Sequence, residues 1–427
     1  MKSSTPGYCD NETAVATVDA FKHVQPVDSS QSISISTPPE QLLRYRKQTI
    51  APQSQISTTT PEPPHPSIFS PFTETLHLFS SLVGPYIFNP LLALQVYHPR
   101  IATMWPFDIT TSFNPSRDIR PLTGKVILVT GGNNGLGKET ILQLAQHSPK
   151  KIFLAARSES KALAAVQDIK SHISDPNLDI QYLPLDLESF PSIKAAADKV
   201  TSSTDRLDIL VLNAGIMATP PGLTPQGHDT QLGTNHLGHF LLTKLLLPTL
   251  IKTASQPSPS SPDQPDVRII SLSSEAHNMS PPIKTITSTS LLTATNPWTR
   301  YGASKAANIL FASELARRHP NLTSVSVHPG IIKTDLYIPN TNSNFLVRYG
   351  TMIFGPLMFQ TVQKGALNQI WAAVAARSSQ QGDGGVVNGA YYTPVGILRK
   401  GNKWSQDADA ARQLWEWSEA ELKKSGF

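Results

Sequence analysis

Tyr301 and Lys305 are the two residues of this sequence best suited, by type and spacing, to move a proton. They stand four positions apart at the start of a helical stretch, so both lie on one face of the helix. A nearby ammonium lowers the pKa of a phenol. This matters because an unperturbed tyrosine, with a pKa of about 10, shuttles protons poorly at neutral pH. The pair therefore predicts a general acid or base, although the same spacing is common in helices with no catalytic role.

A glycine-rich turn is the second feature with chemical potential. Residues 131–137, Gly-Gly-Asn-Asn-Gly-Leu-Gly, follow the apolar run Lys125–Thr130 and open the periodic stretch Lys138–Gln146. Glycine lets the backbone turn with positive φ and approach a pyrophosphate closely, and the following helix offers free N–H groups. The turn therefore predicts a dinucleotide site, and its alternative is a plain connection between a strand and a helix.

Arg157 bears on which dinucleotide would bind. It stands twenty residues after Gly137, at the end of the second apolar run, where a dinucleotide fold places the group that meets the adenosine ribose. A guanidinium pairs with a 2′-phosphate, whereas a carboxylate accepts from a free 2′-hydroxyl. We therefore expect NADP(H) in preference to NAD(H). Glu159 could serve the hydroxyl instead, and Arg157 could be an ordinary surface arginine.

Short apolar runs alternate with segments of helical length from residue 121 onward. The runs are Lys125–Thr130, Lys151–Ala156, Ile180–Leu185, Leu207–Leu212, Val267–Leu272 and Ser324–His328. The predicted helices are Lys138–Gln146, Lys161–His172, Gln231–Leu247, Phe345–Phe359, Thr361–Ala376 and Asp407–Lys424. This alternation predicts an α/β fold, a doubly wound Rossmann-type parallel sheet with helices on both faces. Residues 121–427 would form this single domain, with Phe345–Phe359 as part of a C-terminal substrate lid.

Residues 1–120 have a different composition. Sixteen of the 36 prolines lie within residues 1–121, which predicts a Pro/Ser/Thr-rich extension that is disordered to about residue 70. Leu76–Tyr97 carries no charge and approaches the length of a membrane span. Pro85 and Pro90 would each break a backbone hydrogen bond in hydrocarbon, so a packed or interfacial segment is favoured over a spanning helix. Without an apolar signal region in the first 30 residues, we expect a cytoplasmic protein, with membrane association left open.

Composition also excludes several kinds of site. The only cysteine is Cys9, so the chain has neither a disulfide framework nor a cysteine-based metal cage. The histidines lack the ligand spacing of a metal centre, and no metal is predicted. The net charge of +5 is spread along the chain rather than gathered into the stripes that bind nucleic acid, so a nucleic-acid partner is not expected.

Four motifs in this order resemble the short-chain dehydrogenase/reductase family. They are Thr130-Gly131…Gly135…Gly137, Leu212-Asn213-Ala214-Gly215, Ser273-Ser274 and Tyr301…Lys305, over about residues 121–400. The resemblance implies that Tyr301 donates or accepts the proton and that Lys305 binds the nicotinamide ribose and tunes the tyrosine. It also implies that Ser274 hydrogen-bonds the substrate oxygen and that Asn235 supports a water in the proton relay. Ser273 could replace Ser274, and Asn235 could simply cross-link helices.

The same resemblance implies the cofactor contacts. Asn213, Ala214 and Gly215 would lie along the cofactor, Asp186 would bond the adenine, and Pro329, Gly330 and Thr334 would clasp the nicotinamide amide. Asp186 could instead cap the helix that follows it. The remaining implied contacts are Gly131, Asn133, Asn134, Gly135, Leu136, Gly137, Arg157, Tyr301 and Lys305.

The spacing of the motifs points to one branch of the family. Ser274 and Tyr301 are separated by 27 positions. Together with residues 155–157, 274–277 and 389–394, this resembles the retinol-dehydrogenase-like branch, which implies an apolar alcohol or carbonyl substrate. The predicted function is thus NADP(H)-dependent hydride transfer to or from such a substrate. The alternative is a non-catalytic NADP-binding scaffold, and a homo-oligomer is left open.

Overall fold

The computed structural model describes residues 112–257, 266–332, 360–378 and 384–427. The predicted disordered extension, the segment Leu76–Tyr97, the lid helix Phe345–Phe359 and Thr334 lie outside these residues. The division of the chain at residue 121 stays a prediction.

An eight-stranded sheet forms the centre of the described structure. Its strands are Val126–Thr130 (β1), Lys151–Ala156 (β2), Ile180–Pro184 (β3), Ile209–Leu212 (β4), Arg268–Leu272 (β5), Thr323–Val327 (β6), Tyr391–Thr393 (β7) and Ile397–Arg399 (β8). Their order is β3-β2-β1-β4-β5-β6-β7-β8. Strands β1 to β7 pair in parallel, and β8 is antiparallel to β7. The predicted parallel sheet is confirmed, and the short strands β7 and β8 were not predicted.

The central strands are buried on both faces, which explains their continuous apolar sequence. Along β1, Ile127 and Val129 belong to one core, whereas Val126 and Leu128 belong to the other. Successive side chains of a strand point to opposite faces, so each face needs its own layer of helices. This is the physical reason why the sequence alternates strand and helix.

Helices cover both faces of the sheet. They are Pro115–Asp118 (α1), Gly135–Ala145 (α2), Glu159–Ser171 (α3), Phe190–Ser203 (α4), Thr230–Leu232 (α5), Gly238–Ala254 (α6), Ile283–Ile286 (α7), Thr289–Thr293 (α8), Pro297–Arg318 (α9), Val362–Val374 (α10) and Ala408–Lys424 (α11). Helices α2, α3 and α10 share one core, and α4, α6 and α9 share the other. The predicted two-sided helical covering is confirmed.

Helix α11 lies against the outer side of the second helical layer. Trp415 meets Phe240 of α6 edge-on, with ring centroids 4.9 Å apart, and stacks on Phe311 of α9 at 6.1 Å. This packing shields α6 and α9 from solvent and joins the final helix of the described chain to the helix of Tyr301.

One predicted helix differs from the structure. The stretch predicted as Gln231–Leu247 consists of α5, a π-helical turn over Gly233–Leu237 and α6. In a π-turn each backbone hydrogen bond joins residues five positions apart rather than four, and such turns are frequent at functional sites. Asn235 lies within it. Within the described ranges, no helix combines the length and apolar character needed to cross a bilayer.

Candidate active site

The predicted site residues gather at the carboxyl edge of the parallel sheet, where the strand order reverses between β1 and β4. Ligands of doubly wound sheets bind at such a switch point. Here the ends of the two strands are tied together. Asn213 Nδ2 donates to Thr130 O at 2.8 Å, and Ala214 N donates to Thr130 Oγ1 at 3.0 Å.

The glycine turn has the backbone that the sequence predicted. Gly131 and Gly135 have φ of +66° and +51°, which is the left-handed region that glycine adopts without strain. A Cβ added to Gly137 would lie 2.3 Å from Gly131 O and 2.6 Å from Asn213 Nδ2, so a side chain there would push the turn apart. Asn134, the N-cap of α2, makes no side-chain cap hydrogen bond.

These features fit a dinucleotide. The first N–H groups of a helix lack intrahelical partners, and they attract phosphate oxygens. The side chain of Asn134 does not cap those groups, and glycine at 131, 132, 135 and 137 lets the backbone come close to a pyrophosphate at the start of α2. Asn133, Asn134 and Leu136 all belong to this turn.

The predicted adenosine contacts lie along the same edge. Arg157 follows β2 and is exposed, and its Nη1 is 3.4 Å from Glu188 Oε1. An exposed pair at this distance holds the guanidinium weakly, so Arg157 is accessible to an anion. Asp186 follows β3, and its Oδ1 accepts from Glu188 N at 3.0 Å. The cap of α4 is Ser189 rather than Asp186.

Tyr301 and Lys305 are both buried in α9, at 6% and 5% exposure. Lys305 Nζ lies 5.6 Å from the centroid of the Tyr301 ring and donates to Leu272 O at 3.1 Å. Burial lowers the pKa of Lys305 to about 8, because a low-dielectric interior disfavours the charged form. The chain thus keeps a desolvated ammonium close to the ring of Tyr301.

The two serines that follow β5 have different roles in the structure. Ser273 is buried, and its hydroxyl donates to Lys305 O at 2.8 Å. Ser274 is half-buried, and its Oγ accepts from Ala276 N at 3.2 Å. Because the Ser273 hydroxyl is engaged with the backbone of α9, the geometry favours Ser274 as the residue that meets a substrate.

Close backbone approaches bring these groups together. A Cβ on Gly302 would lie 2.6 Å from Ala276 O, so the second turn of α9 packs directly on the turn that follows Ser274. A Cβ on Gly215 would lie 3.2 Å from Asn235 Oδ1 and 3.3 Å from Lys305 Nζ. The segments that carry Ser274, Tyr301, Lys305, Asn235 and Gly215 therefore converge.

Asn235 cross-links three segments through its side chain. Its Oδ1 accepts from Ile216 N at 2.9 Å, and its Nδ2 donates to Ile216 O and to Ser304 Oγ, each at 2.9 Å. The cross-linking interpretation of the sequence therefore describes its side chain well. An amide oxygen has two lone pairs, so Oδ1 keeps one with which to accept from a water.

The loop after β6 is held in place by glycine geometry and by Asn368. Gly330 has a φ of +93°, and a Cβ there would meet Gln360 Oε1 at 3.3 Å. Asn368 Nδ2 of α10 donates to His328 O at 2.7 Å. Pro329 and Gly330 therefore occupy a fixed turn at the carboxyl edge of the sheet.

Two residues hold the site in a way that was not predicted from the sequence. His239 Nδ1 lies 3.1 Å from Asn235 O, and Nε2 lies 2.9 Å from Thr130 Oγ1. Burial lowers the pKa of His239 to about 4, so the ring is neutral. Because a carbonyl only accepts, Nδ1 carries the proton and Nε2 accepts from the Thr130 hydroxyl. The ring thus joins the π-turn to the end of β1.

Gln369 of α10 is the second residue that holds the site in a way that was not predicted. Its Nε2 donates to Leu136 O at 3.3 Å and to Asn213 Oδ1 at 3.4 Å, and it also contacts Thr140 Oγ1. It therefore clamps the first turn of α2 against the end of β4. The available signal was the polar pair Asn368-Gln369 within the otherwise apolar second half of the predicted helix Thr361–Ala376.

Two further buried histidines, His236 and His328, are neutral. Burial lowers the pKa of His236 and of His328 to about 3 each, and His236 Nε2 lies 2.9 Å from Ser418 Oγ of α11. No cluster of three or more His, Cys, Asp or Glu side chains suited to a metal ion is present among residues 112–257, 266–332, 360–378 and 384–427.

Comparisons with known proteins agree with this geometry. The family model described as short chain dehydrogenase matches residues 125–344. A short-chain dehydrogenase/reductase from Armillaria gallica is 38% identical over 316 residues, which covers 72% of this chain and 93% of the relative. Human retinol dehydrogenase 13 is 35% identical over 312 residues, covering 72% of this chain and 86% of its own length.

A solved structure shares the fold. A crystal structure of an uncharacterized protein from Mycobacterium paratuberculosis aligns with a TM-score of 0.53 at 27% identity, over 73% of this chain and 98% of that one. The residues matched by the family model include the glycine turn, Ser274, Tyr301 and Lys305.

Proposed function

The chain belongs to the short-chain dehydrogenase/reductase family, and on that premise we propose that it transfers hydride between NADP(H) and an apolar alcohol or carbonyl compound, with Tyr301 as general acid and base. The similarity to human retinol dehydrogenase 13 confirms the predicted retinol-dehydrogenase-like branch. The observation that carries the proposal is the convergence of Tyr301, a buried Lys305 and the Ser274 turn beside the ends of β1 and β4.

The described residues offer groups suited to several parts of the cofactor. The N–H groups that open α2 would hold the pyrophosphate, Asp186 the adenine, and residues 213–215 the face of the dinucleotide. When bound, the nicotinamide supplies or accepts the hydride. Arg157 supports NADP(H), because its exposed guanidinium is held only by a weak pair with Glu188 and could turn to a 2′-phosphate.

The proton is handled by the chain's own residues. During carbonyl reduction, Tyr301 donates its hydroxyl proton to the substrate oxygen, and during alcohol oxidation the phenolate takes it back. The Lys305 ammonium stabilises that phenolate at a distance of 5.6 Å from the ring centroid. Ser274 would align the same oxygen, so the charge that develops there meets donors already in place.

The apolar substrate class rests on the similarity to retinol dehydrogenases. We therefore expect retinoid-, steroid- or lipid-like aldehydes and ketones, or secondary metabolites of similar polarity, rather than charged sugars. A nucleic-acid partner is not part of the proposal, because the positive charge forms no patch along the sequence.

The test is turnover with NADPH and with NADH across a panel of aldehydes, retinoids and steroids. Wild type should reduce at least one of them with NADPH, and Tyr301→Phe should retain under a few per cent of that rate while binding NADPH with unchanged affinity. Tyr182→Phe is the matched control, since Tyr182 is a partly buried tyrosine of β3 and its loss should leave the rate intact. NADPH binding without turnover of any compound by wild type would favour the scaffold alternative.

A further inference from the structure

Arg300, the residue before Tyr301, is buried far more completely than an arginine normally is. It is 1% exposed and heads the largest fully buried side chains of the described structure. Arginine is almost never fully buried unless it is paired, and a buried pair is weak evidence for stability, because desolvation offsets the attraction. The best-attested use of such a pair is to fix one arrangement of segments.

The guanidinium of Arg300 joins three segments of the site. Nη2 donates to Thr219 O at 2.9 Å, and Nη1 donates to Thr295 O at 2.7 Å. Nε lies 3.2 Å from Asp229 Oδ2, an ion-pair contact without hydrogen-bond geometry. One side chain thus links the loop after β4, the start of α5 and the entrance to α9.

Asp229 carries this connection to Asn235. Its Oδ1 caps α5 by accepting from Gln231 N at 3.1 Å and Leu232 N at 3.0 Å, while Oδ2 faces Arg300. Helix α5 continues directly into the π-turn that holds Asn235. Burial raises the pKa of Asp229, and the capped N–H groups and Arg300 act against that rise.

The loop that Arg300 holds is in an unfavourable conformation. Ala218 has a φ of +49°, a region that residues with a side chain avoid unless their surroundings impose it. Gln231 Oε1 accepts from Ala218 N at 2.9 Å, and Gln231 Nε2 donates to Pro297 O at 3.0 Å. The loop is therefore clamped twice against the first turn of α9, once by Gln231 and once by Arg300.

We propose that the buried Arg300–Asp229 pair is a positioning unit, which sets the helix of Tyr301 and the π-turn of Asn235 in register against the loop after Gly215. It acts through Tyr301 and Asn235 rather than on a substrate. The kinetic consequence of this inference rests on the proposed function. Its structural consequence, an ordered loop over residues 216–219, does not depend on that function.

Arg300→Lys is the informative variant, because it keeps the positive charge and loses the fork that reaches two carbonyls. Arg268→Lys is a matched control. Arg268 is 2% exposed, pairs with Asp266 and donates to Ala372 O at 3.3 Å and to Ala375 O at 2.8 Å. It begins β5, at the edge of the sheet opposite to Ser274, so its loss should destabilise the protein without disturbing the site.

Two measurements decide the proposal. With NADPH and the best carbonyl substrate, Arg300→Lys should lower kcat at least tenfold while both KM values stay within threefold. In hydrogen exchange, the backbone amides of residues 213–222 should exchange faster in Arg300→Lys than in wild type. They should not do so in Arg268→Lys when the two variants are compared at an equal loss of thermal stability. The proposal is overturned if the two variants behave alike.

A further variant tests the proposal if Arg300→Lys fails to fold. Asp229→Asn keeps the Oδ1 acceptor that caps α5 and removes the charge that faces Arg300, and it should also lower kcat with unchanged KM. Unchanged kcat in Asp229→Asn overturns the proposal. If wild type turns over none of the compounds, the proposed function fails, and the exchange of residues 213–222 decides the positioning inference by itself.

Discussion

Replacing Lys305 with methionine should abolish turnover and change how the stability of the protein depends on pH. Methionine matches the length of the lysine stem but carries no charge. Asn308 Nδ2 also donates to Leu272 O, at 2.8 Å, so that carbonyl keeps a partner when the lysine is lost. The substitution therefore isolates the cost of a buried ammonium.

The size of the effect follows from the pKa of Lys305. Burial lowers it from 10.5 to about 8, so between these values the unfolded chain holds a proton that the folded chain has released. The penalty for burying the Lys305 ammonium is then full below about pH 8, shrinks as the pH rises, and vanishes above about pH 10.5. At about 1.4 kcal/mol per pH unit, wild type should gain at most ~3 kcal/mol over this window relative to Lys305→Met.

The assay is urea unfolding of both proteins at several values between pH 7 and pH 10.5, followed by tryptophan fluorescence. Other titrating groups are common to both chains, so they cancel in the difference of the unfolding free energies. Lys194→Met, which removes an exposed lysine, controls for the loss of one positive charge. A difference between wild type and Lys305→Met that stays flat over this range would refute the argument that burial depresses the pKa of Lys305.

Three further substitutions test the cofactor side of the site. Gly137→Ala should weaken NADPH binding at least tenfold, because its Cβ would meet Gly131 O at 2.3 Å; binding by fluorescence titration within threefold of wild type would contradict this. Arg157→Ala should raise the KM for NADPH about tenfold and leave that for NADH unchanged, measured by steady-state kinetics, and an equal rise for both would remove the assignment to the 2′-phosphate. Gln369→Leu should lower the free energy of unfolding by about 1–3 kcal/mol, measured by urea unfolding, and should weaken NADPH binding several-fold, measured by fluorescence titration. If neither value changes, the contact of Gln369 with α2 is dispensable.

The sequence predicted the fold where the signal was local. Strands β1 to β6 were visible because each is a short apolar run, and the glycine turn because its chemistry is fixed by the backbone. Strands β7 and β8 have three residues each, too few to show a period, and they form only by pairing with β6 and with each other.

The sequence predicted which residues belong to the candidate site better than it predicted how they are arranged in space. The positions of Ser274, Tyr301 and Lys305 followed from motifs, but the π-turn did not, because it depends on the bonds of Asn235 to Ile216 and Ser304. Arg300 was overlooked for the same physical reason. A charged residue in a helix is expected to face solvent, and its partners are distant in sequence. The proposed lid lies outside the described residues, so the walls that select a substrate stay a prediction.

The contacts of α11 have a consequence for biosynthesis. Trp415 covers the helix that carries Tyr301, and Ser418 is bonded to the residue that follows Asn235. A ribosome-bound chain that already contains Tyr301 and Asn235 therefore still lacks the helix that packs against the segments carrying them. We expect cofactor binding by stalled nascent chains to strengthen only after residues 408–424 have left the exit tunnel.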